Sequence, residues 1–285
     1  MSKVALVTDS TAYIPAELSK QSAIYTVPLQ VIWGDETQRD GIDITPEAFY
    51  ARLQTARVLP TTSQPSPAAF KSIYEELLSQ GYQILSVHIS SKLSGTIDSA
   101  QQAKAMLPQA PIEIVDSELT SMGMGYPVLL AARAAEQGAT LKECKTLAEQ
   151  ACRNSGIIFA VNTLEFLHRG GRIGGAAAFL GTALNLKPLL ELRGGRIEAV
   201  ERIRTMGKAT ERLLDLIEQR VGSRTPIRLA AVHAGARELA ETLLEKARAR
   251  FSISSVSQTS IAEVSPVIGV HTGPGCVGLT FTAGM

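Results

Sequence analysis

Ile84-Leu85-Ser86-Val87-His88-Ile89-Ser90-Ser91-Lys92-Leu93-Ser94-Gly95-Thr96 holds the plan of the fold in one stretch. An apolar, β-branched run reads as a buried strand over Ile84–Ile89. A hydroxyl-rich loop follows, and a helix is expected over Thr96–Met106. The same grammar repeats on either side. Val4–Thr8 is a strand that stops at Asp9-Ser10, and Ile112–Val115 is a strand that stops at Asp116-Ser117. Thr45-Pro46 and Ser66-Pro67 are helix starts, with a hydroxyl N-cap and proline at the first helical position. Tyr25–Trp33 is read as one extended run closed by Gly34-Asp35-Glu36, and Ser121–Gln137 and Leu141–Arg153 as helices. Strands alternating with helices at this spacing predict a parallel sheet with crossover helices.

Near Gly156 the pattern changes. Ile157–Val161 reads as a strand and Thr163–His168 as a short helix. Pro188–Leu192 and Arg196–Ile203 flank Gly194-Gly195 as a β-hairpin. Helices are expected over Gly207–Val221 and Ala236–Phe251, and strands over Ile227–Val232, Ser255–Ile261 and Val277–Phe281. Ser265–Gly275 is read as a strand that delivers His271 onto a Gly-Pro-Gly turn. The expectation is therefore an α/β chain of two domains: 1–155 with a parallel sheet, and 156–285 with a mixed α+β sheet.

The chain has 285 residues, enough for two modest α/β domains or one large one. Lys plus Arg number 28 against 27 Asp plus Glu, so no global charge draws it to nucleic acid or an anionic membrane. With 45% hydrophobic and 19% charged residues it can bury a sizeable core and is not a disordered chain. No secretion signal is read at the start. The longest low-charge stretch, Ile173–Leu186, is too short to span a bilayer. Three unpaired cysteines, with no C-x-x-C, fit a reducing cytoplasm. No G-x-S-x-G or P-loop motif occurs, and the four histidines lie far apart with no zinc-binding pattern.

The loops at the C-terminal ends of parallel strands share one edge of a sheet, where ligands bind. Asp9, Ser66 and Asp116 serve as helix caps at least as readily as ligand contacts. Thr62, several residues ahead of its helix, and Ser94, next to the permissive Gly95, favour a ligand. His271 is equally readable as a structural histidine. Residues 168–208 carry eight Lys/Arg against three Asp/Glu, which suits either a phosphate or acidic partner or a plain solvated face.

Thr8-Asp9-Ser10, Thr62-Ser63-Gln64-Pro65-Ser66, Leu93-Ser94-Gly95-Thr96, Val115-Asp116-Ser117, Arg169-Gly170-Gly171-Arg172-Ile173, Lys187-Pro188 and His271-Thr272-Gly273-Pro274-Gly275 occur in that order. Any one is weak; the ordered set resembles the DegV family of bacterial fatty-acid-binding proteins from end to end. The resemblance implies a two-domain fold with a long-chain fatty acid held between the domains. It implies a carrier, not an enzyme, that presents the acid to a separate fatty acid kinase subunit for acyl-phosphate formation. By the same resemblance Thr62, Ser94, Gly95 and His271 hold the carboxylate, and Arg172 and Arg204 are basic positions facing the partner. No metal, cofactor or nucleic acid is implied, and at most transient membrane contact.

The physics is compatible with that ligand. Burying a methylene is worth ~0.8 kcal/mol, so a tail of ~15 carbons offers ~12 kcal/mol before the costs of association. The head group then needs orientation more than a strong clamp. A buried carboxylate still requires a cation or a proton, so either His271 or the acid is expected to be protonated. Gly174–Gly181, with Phe159, Phe166 and Leu167, are candidate tunnel walls. Two other readings compete: a hydrolase using Ser94 with His271, and an interaction module built on the basic segment and lacking a cavity.

Overall fold

The computed structural model describes residues 3–20, 22–181 and 186–285. The first half runs β1 (Lys3–Asp9), α1 (Ala16–Ser19), β2 (Ile24–Val27), β3 (Gln30–Trp33), β4 (Glu36–Arg39), α2 (Pro46–Thr55), β5 (Thr61–Ser63), α3 (Pro67–Ser79), β6 (Tyr82–His88), α4 (Thr96–Ala105), β7 (Ile112–Asp116), α5 (Ser121–Glu136) and α6 (Leu141–Arg153). The second runs β8 (Ser155–Ala160), α7 (Glu165–Arg169), β9 (Lys187–Arg193), β10 (Arg196–Ile203), α8 (Met206–Val221), β11 (Ile227–His233), α9 (Arg237–Arg250), β12 (Val256–Glu263), α10 (Pro266–Thr272) and β13 (Val277–Ala283).

The predicted parallel sheet is present, in the order β2-β1-β6-β7 with every pairing parallel. The second sheet is mixed, in the order β10-β9-β8-β13-β11-β12; β11 and β12 run parallel and the other pairs antiparallel. A small antiparallel sheet, β4-β3-β5, completes the set. Thr45 and Ser66 cap α2 and α3 as their sequences predict, each accepting the backbone N–H three residues on.

Alternation along the strands decides which side chains face inward. In β8, Ile157 and Phe159 join the central core, whereas Ile158 and Ala160 pack under α8. In β11, Ala230 and Val232 face the central core, with Leu229 and Ala231 on the opposite face. That central core is shared between the two halves: it contains Leu6, Phe49, Met122 and Tyr126 as well as Phe159, Leu190 and Val232. Helix α5 lies within it, packed on β1 and β6 and also on β8, β11 and β13. Its Tyr126 hydroxyl donates to the Leu229 carbonyl at 2.8 Å, joining the halves.

Two elements differ from their sequence reading. The run Tyr25–Trp33 is two strands in different sheets, β2 and β3, separated at Pro28-Leu29. Pro28 has no N–H to continue a ladder, and the Leu29 N–H is taken by the Ser10 hydroxyl at 3.1 Å. The segment Ser265–Gly275 is not a strand: it contains helix α10. Ser265 caps that helix, Pro266 stands in its first turn, and Gly273 at φ +72° ends it. This is the same Ser-Pro start signal as at α3; the β-branched Val267, Ile268 and Val270 obscured it.

Candidate functional site

A cavity of about 840 Å³, counted with the part open to solvent, is lined by the mixed sheet on one side and by loops, β5 and the start of α5 from the first half on the other. Its walls are mainly aliphatic and aromatic. The mixed sheet contributes Ile157, Phe159, Leu192, Ile197 and Val232, and the first half contributes Leu29, Ile89 and Leu93. The inward phase of β8 and β11 thus lays a smooth apolar wall along one side.

One end of this cavity is polar. Thr62, on β5, pairs in register with Val31 of β3, so the second of the two threonines is the one lining the cavity. Its hydroxyl lies 2.9 Å from Nε2 of His271, on the last turn of α10. Ser94 lines the same end, with its hydroxyl 2.9 Å from that of Thr96. Gly95 precedes α4, and a Cβ there would stand 2.6 Å from the Gln64 amide nitrogen, so a side chain at this position would push the Gln64 amide aside. The His271 Nδ1 is buried without a protein partner.

Two basic side chains, His271 and Arg172, stand at this end. Burial, and secondarily the Arg172 guanidinium, push the His271 imidazole down to about 4. It is therefore neutral near pH 7. Arg172 lines the cavity beside it, with Nε donating to the Leu93 carbonyl at 3.1 Å and Nη1 to the Gly170 carbonyl at 2.6 Å. Those two bonds aim the guanidinium and leave it further N–H donors for an anion. Arg204, by contrast, lies exposed after β10, away from the cavity.

Several candidates take other roles. Asp9 caps the 3-10 turn Ser10–Ala12 with one oxygen, while its other oxygen accepts from the Ile89 N–H and lies 3.1 Å from the His88 Nδ1; Asp116 accepts from the Ser91 and Glu118 N–H groups. The capping interpretation of Asp9 and Ser66 thus holds. The segment Gly174–Phe179 forms a 3-10 turn packed on β10, and no residue of the candidate wall Gly174–Gly181 lines the cavity. Phe159 and Leu167 do line the cavity, whereas Phe166 packs at Gly273, where a Cβ would overlap its ring. The dyad that a hydrolase needs is not formed, since Ser94 faces Thr96 and His271 faces Thr62. A reading without a cavity is excluded by the cavity itself. Much of the basic segment is spent locally: Arg169 pairs with Glu165, Arg193 with Glu191, and Arg202 stacks on Phe179. Among the described residues no cluster of His, Cys, Asp and Glu could hold a metal ion, and no helix is long and apolar enough to cross a membrane.

Two polar cavity residues lie outside the motifs singled out from the sequence: Thr120 and Ser121, at the start of α5. They follow the Asp116-Ser117 loop that sequence reading did mark. A hydroxyl pair just ahead of an apolar helix was the available signal.

Comparison with known proteins agrees with this architecture. The family model described as an uncharacterised protein of the DegV family matches residues 3–284. A DegV domain-containing protein of Streptomyces coelicolor is 40% identical over 281 residues, covering 98% of each chain. The solved structure of a fatty-acid-binding DegV family protein from Thermus thermophilus superposes with a TM-score of 0.92 at 39% identity, covering 99% of both chains. DegV from Bacillus subtilis, solved as a fatty acid binding protein, gives 0.88 at 34% identity over 99% of this chain and 100% of that one. A match over nearly every residue, with relatives aligned from end to end, makes this chain a member of the DegV family.

Proposed function

We propose that this chain binds a long-chain fatty acid in the cavity against its mixed sheet and presents the carboxylate at the end formed by Thr62, Ser94, Gly95, His271 and Arg172. The observation that carries the reading is the polarity of the cavity: long apolar walls closed by a small group of hydroxyls, a neutral imidazole and one guanidinium. The walls supply affinity through methylene burial. The hydroxyls orient the head group, and Arg172 balances its charge, so the bound acid stays ionised at neutral pH without a proton on His271. The fatty-acid-binding relatives from Thermus thermophilus and Bacillus subtilis support the ligand class.

The chain is read as a carrier in the cytoplasm. Residues 1–155 and 156–285 serve as its two units, and the junction of α6 and β8 is their boundary. A separate kinase subunit would phosphorylate the presented carboxylate, with the exposed Arg204 beside the docking partner. Native mass spectrometry of the purified chain, followed by lipid extraction, tests the first part. One fatty acid per chain is expected, and a lipid-free protein that does not take up added palmitate refutes it. Adding a fatty acid kinase subunit and ATP tests the second part. Acyl phosphate should form, and Arg204→Glu should slow it without changing fatty-acid affinity.

A further inference from the structure

The same cavity is lined by two further hydroxyls that the head-group assignment does not use. Thr120 and Ser121 both line it, and they are 8% and 1% exposed. Neither hydroxyl has a protein hydrogen-bond partner. Thr120 occupies the N-cap position of the sixteen-residue α5 yet makes no capping bond with its side chain. Its backbone is fully extended there (φ −154°, ψ 176°), and Ser121 stands in the left-handed region at φ +52°. A helix start also leaves its first N–H groups without intrahelical acceptors.

The surrounding loop is built to hold this arrangement. The Ser117 hydroxyl donates to the His88 carbonyl at 2.6 Å and accepts from the Leu119 N–H at 3.1 Å. The Ser90 N–H donates to the Leu119 carbonyl at 3.0 Å. The loop after β7 is thus tied to the end of β6, and the strained residue is fixed from both sides. Buried hydroxyls without partners are uncommon in folded proteins, and two adjacent ones facing one cavity call for a polar guest.

We propose that Thr120, Ser121 and the start of α5 form a second polar subsite that receives an oxygen on the acyl chain, so that hydroxy- or oxo-fatty acids are preferred ligands over unsubstituted ones. The chemistry matches. Two hydroxyls can donate and accept, and the helix N–H groups donate, so a chain hydroxyl or keto oxygen finds partners there that a methylene cannot use. An unsubstituted chain covers these hydroxyls and leaves them unpaired, which is the condition under which a polar site discriminates between ligands. The proposal rests on the cavity being a fatty-acid site.

The test uses the full chain stripped of lipid, with stearate, a set of hydroxystearates differing in hydroxyl position, and an oxostearate. At least one positional isomer should bind about 5-fold or more tighter than stearate, the worth of one net hydrogen bond. In Thr120→Val/Ser121→Ala that preference should fall to within about 2-fold while stearate affinity holds or rises. Ser121→Gly, which suits the left-handed backbone, is the second variant if the double change does not fold, and it should lose part of the same preference. If stearate binds but no isomer is preferred, or if the preference survives in the variants, the subsite is refuted and the fatty-acid reading stands. If no fatty acid binds at all, both fall.

Discussion

Gly170→Ala should displace the head-group histidine without deleting it. Gly170 follows α7 with ordinary right-handed backbone (φ −74°, ψ −7°), so alanine meets no conformational penalty there. Its Cβ, however, would overlap the His271 Nδ1 and lie 2.9 Å from Cε1, with the Phe166 carbonyl oxygen at 3.2 Å. The helix-end backbone is the stiffer neighbour, so the imidazole yields. Restoring ordinary contact requires the ring to retreat by roughly 1 Å or more. The 2.9 Å contact between Nε2 and the Thr62 hydroxyl does not survive a shift of that size. Losing one neutral hydrogen bond costs about 0.5–1.5 kcal/mol, or about 2–10-fold in fatty-acid affinity. Calorimetric titration with palmitate measures this, and the histidine resonances in NMR report the ring displacement. The decisive comparison is a double-mutant cycle. In a His271→Ala background there is no ring to push, so adding Gly170→Ala should change affinity little further. Unmoved imidazole resonances with wild-type affinity, or an equal loss in both backgrounds, would refute the reasoning.

Other consequences follow from the same structure. The His271 pKa is depressed from 6.5 to about 4. The unfolded chain therefore binds the proton first, and stability should rise with pH between about 4 and 6.5. Urea titrations of wild type against His271→Asn should show the wild type gaining about 3 kcal/mol across that window, then no further change. Burial raises the Asp40 carboxyl to about 7 against the opposing hydrogen bond from Ser10. Its folding contribution is present at low pH and lost as pH climbs toward 7, so Asp40→Asn should gain on the wild type over that interval and run level above it; a constant offset from pH 4 to 8 would contradict this. Thr62→Val combined with Ser94→Ala should weaken retention by about 1–3 kcal/mol in total while the apolar walls still hold the tail. Phosphorylation by an added kinase subunit should suffer more than binding, and full-rate phosphorylation by the double variant would remove these hydroxyls from the head-group site.

Much of this molecule could be read locally. Hydroxyl–proline starts at Thr45-Pro46 and Ser66-Pro67, apolar runs at Val4–Thr8 and Ile84–Ile89, and the change of grammar near Gly156 each depend on neighbours within one or two turns. Those signals are enough for a parallel sheet followed by a mixed one. Failures came where local signals conflicted. The β-branched residues of α10 outvoted its Ser265-Pro266 cap, and the extended run at Tyr25–Trp33 hid a change of sheet at Pro28.

The site itself is another matter. The ordered motifs placed Thr62, Ser94 and His271 on one candidate group through family resemblance, but the contact between Thr62 and His271 spans 209 residues of chain. No periodicity specifies a meeting of that kind. It depends on β5 pairing with β3 and on α10 packing against both α2 and α7. The neutral state of His271, the turning of Arg172 into the cavity and the partnerless hydroxyls of Thr120 and Ser121 likewise arise only after folding. Strand and helix are fixed by residues a few positions apart along the chain, so the sequence alone determined them. Burial, charge balance and the shape of a cavity are sums over atoms brought together from distant segments, and only the tertiary structure decided those.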